Sequence, residues 1–171
     1  IPVLSSGFTP SMIRKNPIAC SYVFAPKRAT FFNSSRFVNF PTSSRCLTIL
    51  FAIVAESPAT YFNNAGDAVL QRIAAVLQEH VASEDEAVRW GGEEFILMCM
   101  DCPLVKAQEI AEHIREIVEH MSIEFEEHHI AVTMSFGVYQ LDGDQTMDQN
   151  VKQADERLYQ AKTTGRNRVV V

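Results

Sequence analysis

Two glycines followed by two carboxylates, Gly91-Gly92-Glu93-Glu94, combine features that could do chemistry. Glycines at a turn let a backbone approach a ligand closely. Adjacent carboxylates supply hard oxygen ligands of the kind Mg²⁺ takes. Beside a triphosphate, such a site can polarise a phosphoryl group and activate a hydroxyl. Taken alone, an exposed turn with solvated acids is the simpler reading. A second pattern, Cys99-Met100-Asp101-Cys102, is a C-x-x-C without a second pair or nearby histidine spacing, which makes it a weak metal signal. Cys99 lies in an apolar run, so unpaired structural thiols are expected. His113, His120, His128 and His129 lie on or near a polar surface that includes Glu109, Glu112, Glu116 and Glu119. A solvated helix face accounts for these better than a metal cluster. Arg72 and Arg115 receive no role.

The elements that must position these residues follow from periodicity. Residues 65–81 place Val69, Ile73, Val76 and Leu77 on one helical stripe. Ala87–Trp90 is a short strand, Gly91-Gly92 a turn, and Phe95–Met100 a buried strand, together a β-hairpin. Pro103–Met121 repeats apolar residues at the helical period, with Pro103 in the first turn, where proline is tolerated. Ile130–Tyr139 is β-branched and aromatic, hence a strand. Met147–Thr163 is a second amphipathic helix, closed by Gly165 as a C-cap. Asn167–Val171 is a terminal strand, and Cys46–Ala55 is a candidate central strand. The order is β-α-β-β-α-β-α-β, an α/β (α+β) domain with a mostly antiparallel sheet and helices packed against it.

The chain has 171 residues, enough for one domain with a real core, and a net charge of −6 that argues against general nucleic-acid binding. The average conceals a split. Residues 1–55 hold no acid and six basic residues, whereas residues 56–171 hold all 21 acids and nine bases. Six of the seven prolines lie at or before Pro58. Residues 1–45 show no sustained period and are expected to be irregular; residues 46–171 form the domain. No secretory signal is evident. The apolar run Leu47–Ala55 is far too short to span a bilayer.

Four stretches, in order, resemble the GGDEF family of diguanylate cyclases, in the variant with Glu at the third position. Thr60-Tyr61 and Asn64-Ala65-Gly66-Asp67 resemble the end of its N-D-T-Y-G-H-x-x-G-D segment. Arg89-Trp90-Gly91-Gly92-Glu93-Glu94-Phe95 resembles R-[YW]-G-G-[DE]-E-F, and Val132–Val138 resembles V-T-x-S-x-G-V. Ala154–Lys162 with Gly165-Arg166-Asn167 resembles the closing A-D-x-x-L-Y-x-A-K-x-x-G-R-N. The resemblance covers residues 60–171. It implies a nucleotidyl-cyclase-like palm and a cytoplasmic enzyme that condenses two GTP into cyclic di-GMP and releases pyrophosphate, across the paired sites of a homodimer. It further implies Mg²⁺ (or Mn²⁺) held by Glu93, with Glu94 supporting the metal or the attacking hydroxyl. Gly91 and Gly92 would admit the nucleotide, Asp67 would accept from guanine, and Lys162 and Arg166 would hold phosphates. The bland alternative for the last two is C-terminal helix capping.

The family's first strand carries D-x-D-H-F-K-x-I-N-D, and this chain departs from it. Aligned without gaps from Asp67, the metal Asp falls at Leu50, the guanine-contacting Asn at Pro58, and the Gly-His at Phe62-Asn63. Glu56 is the nearest acid that could stand in. A metal site stripped of one carboxylate loses charge stabilisation, so impaired activity is expected. The alternative function is a catalytically inactive domain that binds GTP or cyclic di-GMP as a signalling module. The abrupt change near residue 60 suggests that residues 1–59 have a separate origin. The family's R-x-x-D product-inhibition motif reads Ala82-Ser83-Glu84-Asp85 here. Without the guanidinium fork, inhibition through this site is not expected.

Overall fold

The computed structural model describes residues 47–55 and 63–171. In chain order these form β1 (Leu47–Ala55), α1 (Asn63–His80), β2 (Glu86–Gly91), β3 (Glu94–Met100), α2 (Leu104–His120), β4 (Ser122–Phe125), β5 (His128–Ala131), β6 (Thr133–Gln140), α3 (Met147–Thr163) and β7 (Val169–Val170). The main sheet has five strands in the order β2-β3-β1-β6-β7. All neighbours are antiparallel except β6 and β7. The strand expected at Cys46–Ala55 is therefore central.

Strand β3 explains the sheet's two-sided burial. Phe95, Leu97 and Cys99 belong to the larger core, with Ile73 and Leu77 of α1, Ala111, Ile114 and Val118 of α2, and Met134, Phe136 and Val138 of β6. Ile96 and Met98 join Ala154 and Leu158 of α3 in a second core. The run Phe-Ile-Leu-Met-Cys-Met is apolar throughout because alternate residues serve different cores. Helix α3 is fixed at its start by a capping box. Thr146 accepts from the Gln149 amide, and the Gln149 side chain accepts from the Thr146 amide.

Several expected boundaries change. The strand expected at Ile130–Tyr139 is two strands in different sheets: β5 pairs with β4 in a separate ribbon, and β6 lies in the main sheet. The β4–β5 turn is closed by Glu126-Glu127, with Glu126 at φ 53°. Neither residue is an ordinary signal for positive φ, which hides the turn. Pro103 is the N-cap of α2, one position before the first turn. Its carbonyl accepts from Ala107 at 3.0 Å. The terminal strand shrinks to Val169–Val170 because Arg166 and Asn167 have φ 58° and 45°, which no strand accommodates.

The glycine turn also shifts. Gly91 ends β2 and pairs with Glu94, so the two turn residues are Gly92 and Glu93. Gly92 has φ 54°, positive at the first of the two central positions, as a type II′ hairpin turn requires. A bulge falls between Arg89 and Gly91. At the other end of the domain, Gly165 follows the α3 cap Thr164 with φ 125°, and the next amide, of Arg166, returns to the Ala161 carbonyl at 2.9 Å. The C-cap expected at Gly165 is thus one residue late, with glycine at the position beyond the cap.

Candidate functional site

The hairpin tip presents a free carboxylate on a braced turn. Glu93 is exposed and makes no side-chain hydrogen bond or ion pair among the described residues. The turn beneath it is held by Arg89, whose Nε and Nη2 donate to the Gly92 carbonyl at 2.9 and 2.6 Å. A methyl group at Gly91 would meet nothing within 4 Å, and its φ is not positive. Protein packing therefore gives no reason for glycine at 91, whereas backbone conformation gives one at 92.

Glu94 begins β3, half-buried, and its Oε1 lies 4.0 Å from Nζ of Lys162 in the last turn of α3. The structure thus joins two of the sequence-selected residues from elements 68 positions apart. Asp67 and Arg166 are both exposed and have no side-chain hydrogen bond or ion pair among the described residues. Asp67 lies in the first half of α1, and Arg166 in the loop after α3.

Strand β1 reaches the hairpin at its C-terminal end. Ile53 is the register partner of Glu94 on one side and of Ser135 on the other, while Leu50 pairs with Leu97 and Val138. Glu56, Pro58 and Phe62 lie outside the described residues, as does the expected irregular segment 1–45. Among the described residues no three His, Cys, Asp or Glu side chains gather to hold a metal. Hairpin carboxylates nevertheless suit Mg²⁺, which takes one or two carboxylates and completes its shell with phosphates and water.

Other groups acquire structural roles that motif spacing did not reveal. Asp85 accepts from the Ala82 amide at 3.0 Å and from the Met100 amide at 2.8 Å. Its carboxylate ties the α1–β2 loop to the end of β3, an ordinary task for Asp in a turn. Cys99 and Cys102 are buried and form no disulfide. Burial, reinforced by the nearby Asp85 charge, pushes the Cys99 thiol far up. Arg115 joins α2 to the loop after α3 through Asn167, at a sequence separation of 52.

The sequence model of the family described as "Diguanylate cyclase, GGDEF domain" matches residues 59–168. This chain belongs to the GGDEF family. Diguanylate cyclase A of Treponema denticola is 40% identical over 113 residues, which are 66% of this chain and 30% of that protein. The chain therefore spans well under half the length of this bacterial relative. Among solved structures, the active GGEEF domain of a diguanylate cyclase from Vibrio cholerae matches with TM-score 0.66 and 26% identity, over 73% of this chain and 81% of that one. The GGDEF domain of DgcB from Caulobacter crescentus, solved with c-di-GMP, shares the fold with TM-score 0.70 at 24% identity, over 74% of this chain and 77% of that one.

The α/β palm expected from the sequence is thus the GGDEF fold. A match over 74% of the chain is longer than residues 59–171 alone could supply. The shared fold therefore extends upstream of the region matched by sequence. Among the described residues no helix is long and apolar enough to cross a membrane.

Proposed function

We propose that this GGDEF domain binds GTP at the hairpin and acts as a diguanylate cyclase, joining two GTP into cyclic di-GMP across a homodimer, in the cytoplasm where GTP is available. The observation that carries this reading is the tip itself: a Glu93 without a side-chain partner among the described residues, close to an unobstructed Gly91, on a turn pinned by Arg89. Glu93 would hold Mg²⁺ (or Mn²⁺), which when bound neutralises phosphate charge. Glu94 supports that site, and Lys162, already drawn to it, offers its ammonium to phosphate oxygens. Arg166, exposed and without a partner among the described residues just beyond the same helix, gives a second cation. Asp67 accepts from the guanine edge. Gly91 and Gly92 leave room for the nucleotide.

One observation favours reduced activity, and with it the second reading of a domain that binds GTP or cyclic di-GMP without turnover. The β1 position beside Glu94 is Ile53, so this strand brings no carboxylate to the hairpin's base.

The test is cyclic di-GMP production from GTP and Mg²⁺ at protein concentrations that drive dimerisation, with Glu93→Ala as control. Metal-dependent product that vanishes in the control supports the cyclase. No product, with GTP binding retained, supports the binding module. Neither product nor binding refutes both.

A further inference from the structure

We propose that Arg115 is a positioning residue for the phosphate end of the site: it holds Asn167 and Glu119, and so fixes the backbone from which Arg166 projects. This rests on the phosphate reading of Arg166 given above.

The loop after α3 has an unusual backbone. Gly165, Arg166 and Asn167 have consecutive positive φ values of 125°, 58° and 45°. Glycine adopts such angles freely and Asn tolerates them, but Arg does so only when something holds it. The holding groups come from α2. Arg115 Nη1 donates to Asn167 Oδ1 at 3.0 Å and to Glu119 Oε2 at 2.7 Å. Asn167 Nδ2 donates to the other Glu119 oxygen at 2.7 Å. The three side chains therefore close a ring. Glu112 accepts from Arg115 Nε at 2.7 Å and lies 2.7 Å from Nη2, which fixes the plane of the guanidinium.

Within the ring the Arg115 side chain is only 11% exposed, while Glu119 lies at the surface. Glu119 responds to it: the Arg115 hydrogen bond first, then that of Asn167, holds its carboxyl below the usual range. The loop's other flank is tied as well. Arg168 Nε donates to the Arg166 carbonyl at 3.1 Å, Arg168 Nη1 donates to Thr164 Oγ1 at 3.3 Å, and the Arg168 carbonyl accepts from Phe136 at 2.9 Å. Thr164, Asn167 and Arg168 thus have partners, while the Arg166 guanidinium has none among the described residues. A loop clamped on both sides around one free cation is arranged to present that cation.

The experiment is a double-mutant cycle on the full chain, reading GTP affinity by calorimetry well below the melting transition. Arg115→Lys keeps the charge but cannot form the fork. It should weaken GTP binding about tenfold, the equivalent of one charge-assisted hydrogen bond. In an Arg166→Ala background the same change should lower affinity no further, because the group it positions is gone. Hydrogen exchange supplies a ligand-free readout: amides of residues 164–168 should exchange faster in Arg115→Lys, with those of the first half of α3 unchanged. Equal losses in both backgrounds would overturn the proposal, as would unaltered exchange in the loop. Unchanged affinity in Arg166→Ala alone would instead remove the phosphate reading, whatever the exchange data show.

Discussion

Gly137 lies in the middle of β6, where α3 comes closest to the sheet. A Cβ built there would overlap the Ala154 carbonyl oxygen and the Leu158 amide nitrogen, and would sit 2.9 Å from Leu158 Cα. All three are backbone atoms of one helix, so no side-chain rotation relieves the clash. Gly137→Ala must push α3 outward by roughly 1 Å, and a gap of that size forfeits a quarter to a half of the dispersion energy of each contact it opens. The contacts at risk are those of Ala154 and Leu158 with Ile96 and Met98, all essentially buried. Overpacking of this kind costs about 1–3 kcal/mol and occasionally more. Relief of glycine's unfolded-state entropy returns less than about 1 kcal/mol. A net loss of about 2 kcal/mol is expected, lowering the melting temperature by roughly 8 °C for a domain of this size. Because α3 carries Lys162, the Lys162–Glu94 approach at 4.0 Å should open too. Urea and thermal denaturation read the first effect and GTP titration the second. Gly143→Ala is the control, since its Cβ would meet nothing within 4 Å. If Gly137→Ala and Gly143→Ala melt together, the close approach of α3 does not limit stability, and backbone overlap at Gly137 carries no cost.

Three further outcomes follow from the same geometry. Gly91→Ala should leave the melting temperature unchanged yet weaken GTP binding, whereas Gly92→Ala, forced to φ 54°, should lose about 1 kcal/mol of stability; matched melting losses in both would refute the distinction. Asp85→Ala removes the acceptor of the part-buried Met100 amide and of the exposed Ala82 amide and should lower stability by about 1–3 kcal/mol, with Asp85→Asn partly restoring it. Calorimetry should find cyclic di-GMP affinity the same before and after that change, and a loss in Asp85→Ala would reinstate a product site there. Cys99 has its ionisation pushed up from a usual value of 9.0 by burial, so above that pH the unfolded chain gives up a proton that the folded chain keeps. Stability should therefore fall as pH rises past 9, and less steeply in Cys99→Val; in the native protein this thiol should resist alkylation until the domain unfolds.

What could be read in the sequence was what local pattern encodes. Helices α2 and α3 repeat apolar residues at the helical period, and their expected ends lie within a residue of those observed. The glycine hairpin was legible as a hairpin, but its turn was not. Two adjacent glycines look interchangeable, and only the pairing of Gly91 with Glu94 reveals that Gly92 and Glu93 make the turn. The β4–β5 ribbon was hidden because Glu126, not Gly or Asn, takes the positive φ. The same logic divides the site. Glu93, Glu94 and Lys162 stand out through residue type and motif. Arg89, Asp85 and Arg115 act on a carbonyl, on two amides and on a residue 52 positions away. The Arg89 contact closes within its own turn, while those of Asp85 with Met100 and of Arg115 with Asn167 are set by tertiary folding; none leaves a periodic trace.

The register of β1 also changes where a lost metal ligand should be sought. Gapless alignment from Asp67 points to Leu50, but the sheet pairs Leu50 with Leu97, three residues along β3 from Glu94. Three strand residues span about 10 Å, whereas Mg²⁺–oxygen bonds are about 2.0–2.1 Å long. A carboxylate at 50 would not share an ion with the hairpin. Its register partners there, Leu97 and Val138, offer no oxygen ligand. Position 53 is the partner of Glu94. Ile53→Asp is therefore expected to tighten Mg²⁺-dependent GTP binding and raise cyclic di-GMP production, while Leu50→Asp gives neither gain. Titrating Mg²⁺ against GTP affinity in the two variants decides the matter. A gain at 50 and none at 53 would mean that catalysis uses a pairing of β1 different from this one, and would return the missing ligand to the place gapless alignment gives it.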